Sequence, residues 1–351
     1  MHFTKTILAD IEKCYSATAT LIKGEPFLFF AGEGNGSLQA FHGDGFNLRD
    51  QIWTGGGGTM SITPLKEDPP MLLASRGFYS MVEAQTSTIE IIRFSNNQFS
   101  HQTIASLPYL HRFDVLKASD GVQYILAATI ASYKENKEDW SHPGHLYWAK
   151  LPDDLNAPFE VAMTMLPGDF YMNHGFCKTQ LNGEDIAFTA SLEGVFSVLP
   201  PGESGEEWTV SKILDEPVSD IAVCDIDMDG EPEIAAILPF HGNSFRVYKK
   251  KNGEYAQIYS QPDENDFYHT VISGTVNGKP VFVGGARQLE ATLFLLSWDK
   301  FSRALISQEL DRGCGPSNAF LFNTSRKDIL LCANRQIAQA AIYEFYGQDK
   351  A

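Results

Sequence analysis

Three short stretches each place a histidine, with a tyrosine close by, at the start of a strand-like apolar run. They read "DFYMNHGF" (169–176), "DFYHTV" (266–271) and "PYLHRFDV" (108–115). An imidazole titrates near neutral pH, so it can move protons in catalysis, and in its neutral form it binds metal ions. The recurrence predicts that His111, His174 and His269 occupy matching corners of a repeated architecture and meet at one site. The alternative for each is a turn residue that bonds to backbone.

The elements that must position these histidines are short β-strands. Runs rich in Val, Ile, Phe, Tyr and Thr, such as "PFLFFAG" and "KPVFVGGA", alternate with Gly, Asn, Asp and Pro turns, and long helical periodicity is absent. These runs group into repeated units of roughly four strands. The approximate unit starts, spaced 44 to 63 residues apart, are Ser16, Met60, His111, His174, Asp220, His269 and Asn318.

The last unit is incomplete, because only 33 residues follow Asn318, whereas the first 15 residues contain a spare strand. Pairing the N-terminal strand with the last unit would complete it and close a ring without an open edge. We therefore predict an all-β fold, a seven-bladed β-propeller formed by one domain over residues 1–351. The longest interval contains an insertion at 132–144.

The fifth unit contains an acidic turn, "DIDMDGEPE", with carboxylates at Asp225, Asp227, Asp229 and Glu233 and a glycine at Gly230. Oxygen ligands at this spacing suit Ca²⁺, and the glycine permits a sharp reversal of the backbone. The turn predicts a structural calcium site, with a solvated acidic hairpin as the alternative.

This turn and the strand that follows it, "DIDMDGEPEIAAI", resemble the repeat signature of integrin-type (FG-GAP/VCBS) β-propellers. The histidine-bearing strand starts are similar in style to the propellers of aldos-2-ulose dehydratase, of polysaccharide lyases and of rhamnosyl-glucuronate lyases. The resemblance implies the propeller fold and, among several activities, elimination chemistry on carbohydrates. The match to the FG-GAP/VCBS signature covers the acidic turn only, since the corresponding turns "LNGED", "VNGKP" and "TSRKD" lack the acids.

In a propeller blade the start of the first strand and the end of the second emerge on the same face. The residues at these positions are therefore predicted to ring one mouth of the central channel. The candidate catalytic residues are His111, His174, His269, Arg112 and Tyr171. The candidate substrate-binding residues are Glu33, Arg76, Trp140, His142, Asn173, Glu193, His241, Arg287, Asn318 and Arg335.

Histidine, arginine and aromatic groups at one mouth favour a carbohydrate lyase or dehydratase that acts by β-elimination. His174 or His111 would be the base, and His269 or Tyr171 would protonate the leaving oxygen. The enolate would be stabilised by Arg112, Arg287 or Arg335. In a variant, Zn²⁺ or another divalent ion bound by two or three of the histidines does this work, although three ligands would need long reaches across the channel. Trp140, with Phe78 and Tyr15, suits stacking on a sugar.

Two other classes of function remain open. A glycoside hydrolase could use Glu33, Glu193 or Asp220 at the same mouth. A non-catalytic propeller could bind a sugar or a protein there, with calcium for rigidity.

The overall composition narrows the partners. The net charge of −17 repels nucleic acid and anionic membranes, and no apolar run is long enough to span a bilayer. The N-terminal stretch carries acids where a signal peptide is apolar, which favours a cytoplasmic protein, or a secreted one if a leader has been removed. The five cysteines show no CxxC spacing and read as free thiols. The sequence does not indicate the oligomeric state.

Overall fold

Seven antiparallel four-stranded sheets make up the molecule. The computed structural model describes residues 2–181, 183–202, 207–262 and 265–346. The first strand of each sheet contacts the first strands of the two adjacent sheets, so these strands form a closed ring. The prediction of an all-β, seven-bladed propeller is thus confirmed. The helical segments in the described ranges are two single 3-10 turns, at Asp44–Phe46 and Arg335–Ile337.

The strands are numbered β1 to β28 in chain order, and β1 (Phe3–Asp10) belongs to the last blade. Blade one contains β2 to β5, at Cys14–Ile22, Glu25–Gly32, Leu38–His42 and Leu48–Trp53. Blade two contains β6 to β9, at Ile62–Glu67, Pro70–Arg76, Thr88–Ser95 and Gln98–Ser106. Blade three contains β10 to β13, at Leu110–Lys117, Gln123–Thr129, Leu146–Lys150 and Thr164–Met165.

The remaining blades follow the same order. Blade four contains β14 to β17, at Gly175–Leu181, Glu184–Ser191, Gly194–Leu199 and Thr209–Leu214. Blade five contains β18 to β21, at Asp220–Cys224, Glu233–Leu238, Ser244–Lys251 and Glu254–Ser260. Blade six contains β22 to β25, at Asn265–Val276, Lys279–Leu289, Leu293–Asp299 and Ala304–Asp311. Blade seven contains β26 to β28, at Asn318–Asn323, Asp328–Asn334 and Gln339–Phe345.

The ring closes through β1, as the incomplete last unit predicted. This strand pairs antiparallel with β28, from Phe3 opposite Phe345 to Asp10 opposite Gln339. The Lys5 ammonium also lies 2.6 Å from a carboxylate oxygen of Asp311 in blade six. The N-terminal strand therefore covers the edge of β28, which would otherwise expose unpaired backbone groups.

The core lies between the blades. The second strand of each blade is covered on both faces, and for this reason it is largely apolar. Examples are "EIAAIL" of β19 and "DILLCAN" of β27, and every residue of these two strands is buried. Outer strands such as β9 consist mostly of exposed and half-buried residues instead, with Ile104 and Ala105 buried. Burying one large aliphatic side chain contributes roughly 1.5–3 kcal/mol, so the blade interfaces hold the ring together.

The predicted unit starts fall close to the starts of the inner strands, by which we mean the first strand of each blade. His269 is the largest departure, because β22 begins four residues earlier, at Asn265, whose partner is Leu289. The predicted insertion lies in the connection from β11 to β12. All five cysteines are free, as expected. Among the described residues, no helix has the length and apolarity needed to cross a membrane.

Candidate functional site

Tyr15, His111 and His269 each sit at a β-bulge near the start of an inner strand. In β2, for example, Cys14 and Ser16 pair with Gly32 and Ala31, which are consecutive, so Tyr15 is left without a partner residue. His111 in β10 and His269 in β22 likewise have no partner residue on the neighbouring strand. A bulge redirects the side chain of the extra residue, and here it directs three side chains toward a common point.

The backbone repeats a second feature at these corners. The residue two positions before Tyr15, His111, His174 and His269 has a left-handed conformation. These residues are Lys13, Tyr109, Met172 and Phe267, with φ of 49°, 59°, 52° and 55°. A non-glycine residue in this region costs free energy, so its recurrence marks a shared corner geometry and not a chance turn. The histidine-bearing stretches of the sequence are therefore equivalent corners of the ring.

The side chains from these corners meet on one face of the ring, where the inner strands begin, which we call the head face. The Tyr15 hydroxyl lies 3.3 Å from Nε2 of His111 and 3.4 Å from Nε2 of His269. His241, which follows β19, brings its Nε2 within 3.3 Å of Nε2 of His174. These four histidines and Tyr15 form what we call the histidine cluster.

Two of the imidazoles are oriented by backbone carbonyls of the next blade. Nδ1 of His174 is 3.2 Å from the carbonyl oxygen of Ser219, and Nδ1 of His269 is 2.7 Å from that of Ser317. The carbonyl can only accept, so each Nδ1 carries the proton and each Nε2 presents a lone pair to the cluster. Histidines that bind metals show this same outer contact.

Burial keeps the cluster uncharged. It lowers the pKa of His111, His174 and His269 well below the usual histidine range, and neighbouring Arg112 and His241 act in the same direction. Burial, followed by the charges of Arg287 and Arg112, lowers the pKa of His241 to about 3. At neutral pH the cluster therefore consists of neutral imidazoles, the form that binds metal ions.

Three of the imidazoles have the arrangement of a metal site. One ring nitrogen from each of His174, His241 and His269 lies within 4.8 Å of the other two, and we call this set the metal triad. His174 and His241 direct Nε2 atoms at each other across 3.3 Å, although His174 keeps its proton on Nδ1. At this distance the Nε2–H of His241 can donate to the lone pair of His174, and in its other tautomer His241 offers a third lone pair, so the residues present fit a divalent ion. The long reach expected across the channel does not arise, because His241 takes the place that the sequence analysis gave to His111.

Arg112 and Asp220 lie directly beside the cluster. Nη2 of Arg112 is 3.5 Å from Oδ2 of Asp220, which is 3.7 Å from Nδ1 of His174. The other oxygen of Asp220 accepts the backbone N–H of Ile221 at 2.9 Å. Burial raises the pKa of Asp220 to about 6, opposed by Arg112. From sequence Asp220 was predicted only as a hydrolase carboxylate, although its position as the first residue of β18 could have indicated that it lies beside the histidines.

A cavity of 490 Å³ follows the axis of the ring beneath the cluster, and we call it the channel cavity. Its walls are the inner strands. The lining residues nearest the head face include Ser16, Ser61, Arg112, Phe176, Asp220 and Asn318. Arg112 immediately follows His111 in β10, and a strand rises about 3.3 Å per residue, so the cluster sits one layer above this cavity.

Aromatic side chains pack against the cluster from the head face. Phe78 lies 5.7 Å from the His111 ring, and Phe240 lies 4.0 Å from the ring of His241. Trp140, from the insertion, packs against Phe240 at 5.0 Å and carries the Lys134 ammonium 3.3 Å from its centroid. Trp140 and Phe78, which we expected to stack on a sugar, thus contact protein groups here.

Other predicted residues lie on the head face at varying distance from the cluster. Arg287 stacks on Phe267 at 4.6 Å, and Phe267 stacks on His241 at 4.4 Å. Arg335 donates to Glu33 at 2.6 Å, so these two predicted binding residues pair with each other. Arg76 donates to the carbonyl oxygen of Gly56 and lies over Trp53.

The remaining predicted residues have structural contacts or stand apart from the cluster. Asn173 donates to the carbonyl oxygen of Thr129 and accepts from Thr189, which ties blade three to blade four. The backbone N–H of Tyr171 donates to Glu193 in a loop contact. His142 is exposed in the insertion, and Asn318 lines the channel cavity. Their roles in binding or catalysis stay predictions.

The acidic turn has an internal cation. The Lys249 ammonium lies 2.8 Å from Asp227, 2.8 Å from Asp229 and 2.6 Å from Glu233. Asp225 accepts the backbone N–H groups of Asp229 and Gly230, as in a tight turn. One oxygen from each of Asp225, Asp227 and Asp229 still lies within 4.8 Å of the others. Calcium binding stays a prediction, and Ca²⁺ would have to displace the Lys249 ammonium.

This competition is testable with Lys249→Gln. Removing the ammonium leaves the carboxylates without their counter-charge, so we expect millimolar Ca²⁺ to raise the melting temperature of the variant by about 2–4 °C more than that of the parent protein. Differential scanning calorimetry with and without EDTA measures the shift. Lys251→Gln, an exposed position on the same strand, is the matched control. An equal gain in both variants would mean that Ca²⁺ acts on general charge and not at the turn.

Comparisons with known proteins add little to this description. No protein-family model matches the chain, and the curated proteins compared with it give no match. Among solved structures, the chain is similar to a sialidase of Trypanosoma rangeli, with 13% sequence identity and a TM-score of 0.48. The similarity covers 85% of this chain and 56% of that one, so the chain spans little more than half of the sialidase. At this level we draw no conclusion from the likeness.

Proposed function

We propose that the chain is a metal-dependent carbon–oxygen lyase that acts on a sugar or uronate in the channel cavity. The observation that carries the proposal is a layered arrangement along the axis. Three neutral imidazoles converge immediately above a cavity whose nearest wall contains Arg112 and Asp220. The similarity in style of the histidine-bearing strand starts to those of propeller lyases and dehydratases supports the same reaction class.

The metal triad would hold the ion, and neutral imidazole suits Zn²⁺ and several other first-row divalent metals. When bound, the ion supplies positive charge for the oxygen of an enolate. His111 and Tyr15 stand next to the triad and bond to each other. Both residues are buried, so they would shield the ion from bulk water.

Asp220 is positioned to carry the proton. In β-elimination, the proton α to a carbonyl or carboxylate leaves, a carbon–carbon double bond forms, and the carbon–oxygen bond at the β position breaks. The Asp220 carboxylate accepts that proton and returns it to the departing oxygen, so atoms and charges balance. His174 or His111 as the base remains the alternative prediction, but the lone pair of His174 that faces the cluster is the one that would bind the ion.

The channel cavity suits a small polar substrate. Its volume of 490 Å³ lies within the range of about 300–1,000 Å³ that is usual for ligand sites. Phe176 and Phe320 line it together with the polar groups, and aromatic walls suit the apolar face of a sugar ring.

A glycoside hydrolase would need two carboxylates around the scissile bond. Asp114 is a second carboxylate on the cavity wall, but the Lys178 ammonium lies 3.3 Å from it. This pairing favours a structural role for Asp114, and the carboxylates Glu33 and Glu193 are engaged on the head face. The geometry therefore supports the lyase better.

The deciding experiment follows the ultraviolet absorbance of unsaturated products from a panel of uronate glycosides and keto sugars. The protein is first stripped with a chelator and then assayed with and without one equivalent of Zn²⁺, Mn²⁺ or Fe²⁺. We expect product to appear with at least one metal and to disappear on chelation. Sugar binding without turnover under every condition would reject the lyase in favour of a binding module, and reducing sugar without unsaturation would identify a hydrolase.

A further inference from the structure

We infer that Arg112 forms a carboxylate-binding subsite inside the channel cavity, and that acidic ligands reach it from the face of the ring opposite the head face. This inference deepens the proposed function by naming the substrate class and its route. Binding alone tests it, so it can stand or fall separately from catalysis.

Arg112 is a buried cation with unused hydrogen-bonding capacity. Its side chain lines the channel cavity, and the residue is 8% exposed. Nη1 reaches the carbonyl oxygen of Met60 at 3.4 Å and Nη2 reaches Asp220 at 3.5 Å, both long contacts. Within the described part of the chain, its Nε is buried without a hydrogen-bond partner. A guanidinium has five N–H donors, so most of its capacity is available.

Leaving such a group unsatisfied is costly, which points to a ligand that completes it. A buried donor without a partner destabilises the protein, and more so when it is charged. A carboxylate fits the planar fork of arginine with two parallel hydrogen bonds, which a neutral hydroxyl cannot do. The anionic group of a uronate has this geometry.

The charges around the cavity allow an anion despite the net charge of −17. The charged residues that line it are Arg112, Lys178, Asp114 and Asp220. Asp114 is paired with Lys178 at 3.3 Å, and Arg112 is in a slightly longer ion pair with Asp220 at 3.5 Å, so neither contact is a short hydrogen bond. An anion can therefore bind Arg112 without breaking a short ion pair.

The route follows from which end of the cavity is covered. At the head end, the histidine cluster lies above the cavity, with His111 and His174 each 1% exposed. Further along the inner strands the lining side chains become accessible, with Lys178 exposed and Ser273 half-buried. A ligand would thus enter beside Lys178, whose ammonium also attracts an anion, and would reach Arg112 at the inner end.

The affinity test compares sodium glucuronate with glucose by isothermal titration calorimetry on the metal-free protein. We expect glucuronate to bind at least tenfold more tightly, and we expect Arg112→Gln to remove the difference while Arg112→Lys keeps part of it. Should Arg112→Gln fail to fold, the double variant Arg112→Gln/Asp220→Asn removes both charges and answers the same question. Equal binding of the two sugars, or an unchanged preference in the variants, would overturn the subsite.

The route test places a bulky residue at each end of the channel and measures association by stopped flow. Ser273→Trp narrows the end of the channel cavity away from the head face, and Ser141→Trp adds the same bulk to the insertion on the head face. We expect glucuronate to associate at least tenfold more slowly with Ser273→Trp and at the parent rate with Ser141→Trp. The reverse pattern would place the entrance on the head face and overturn the route while leaving the subsite standing.

Discussion

Replacing His241 with alanine is expected to remove stoichiometric metal binding and to lower metal-dependent turnover by more than about 100-fold. Changes in the groups behind a metal ligand cost roughly 10- to 100-fold in affinity or activity, and loss of a ligand should cost at least as much. His241 provides one of the three nitrogens of the metal triad and lies 3.3 Å from another. Its removal leaves two imidazoles, too few for a closed site.

His241 is the informative member of the triad because it can be removed with little damage to the fold. It lies in the loop after β19 and is partly accessible, whereas His174 is buried and bonds to the Ser219 carbonyl. Substituting His174 would leave that carbonyl buried without its donor, so a loss of activity could come from a loss of structure. The His241→Ala protein should melt within a few degrees of the parent.

The measurement is metal content after equilibrium dialysis, together with the visible absorption of the Co²⁺-loaded protein. We expect one metal ion per parent chain and a ligand-field spectrum that His241→Ala lacks. His42→Ala is the control, because His42 pairs with Asp50 within blade one at 3.1 Å, apart from the cluster. Equal metal content in all three proteins, or none in the parent, would show that the triad is not a metal site.

The fold could be predicted from sequence because every blade places the same requirements on its residues. A central strand covered on both faces must be apolar throughout, as in β19 and β27, and turn residues must separate it from its neighbours. The spare N-terminal strand and the short last unit then fit only a closed ring. Local sequence and global architecture point to the same answer here, which is the condition for reading one from the other.

The convergence of the histidines was also predictable, because it follows from equivalence of position. What the pattern does not contain is the bulge that redirects His111 and His269, since a bulge depends on pairing with the next strand. Nor does it show that His241, on a different corner of blade five, brings its Nε2 within 3.3 Å of Nε2 of His174. Tertiary contacts set the direction of a side chain at the end of a strand, and the spacing of the repeats in the sequence does not specify it.

The sequence also does not show how deeply the histidines are buried or which cation neutralises the acidic turn. The predicted rim was an open mouth, whereas the described structure buries His111, His174 and His269 and places the cavity on their inner side. The acidic turn reads as a cation site, but Lys249, on the strand that pairs with β19, reaches three of its four carboxylates. Such partners come from elsewhere in the blade, so no local motif reveals them.

Asp220→Asn is expected to lower the rate of elimination by about 100- to 10,000-fold at saturating metal, the usual range for loss of a positioned acid–base group. An amide is close to a carboxylate in shape but cannot accept the substrate proton at neutral pH. Its carbonyl oxygen can still accept the backbone N–H of Ile221, which holds Asp220 in the native structure. The variant should therefore keep its fold while it loses chemistry.

Metal affinity must be controlled in this experiment, because Oδ2 of Asp220 lies 3.7 Å from Nδ1 of His174. Loss of an outer carboxylate can weaken metal binding by roughly 10- to 100-fold, so rates are compared at several metal concentrations and extrapolated to saturation. A defect that disappears at high metal would assign Asp220 to positioning His174. A defect that persists would assign it to proton transfer.

Asp114→Asn is the matched comparison, since Asp114 lines the same cavity and undergoes the same change from carboxylate to amide. The lyase predicts a loss of less than about tenfold for this variant, because Asp114 is neutralised by Lys178 and no second carboxylate is needed for elimination. Equal inactivation of both variants, with hydrolysed product and no unsaturation, would show two cooperating carboxylates and a hydrolase. Full activity of Asp220→Asn would mean that Asp220 is not the base. The base would then be an imidazole of the histidine cluster, because these neutral rings lie beside the head end of the cavity and can accept a proton.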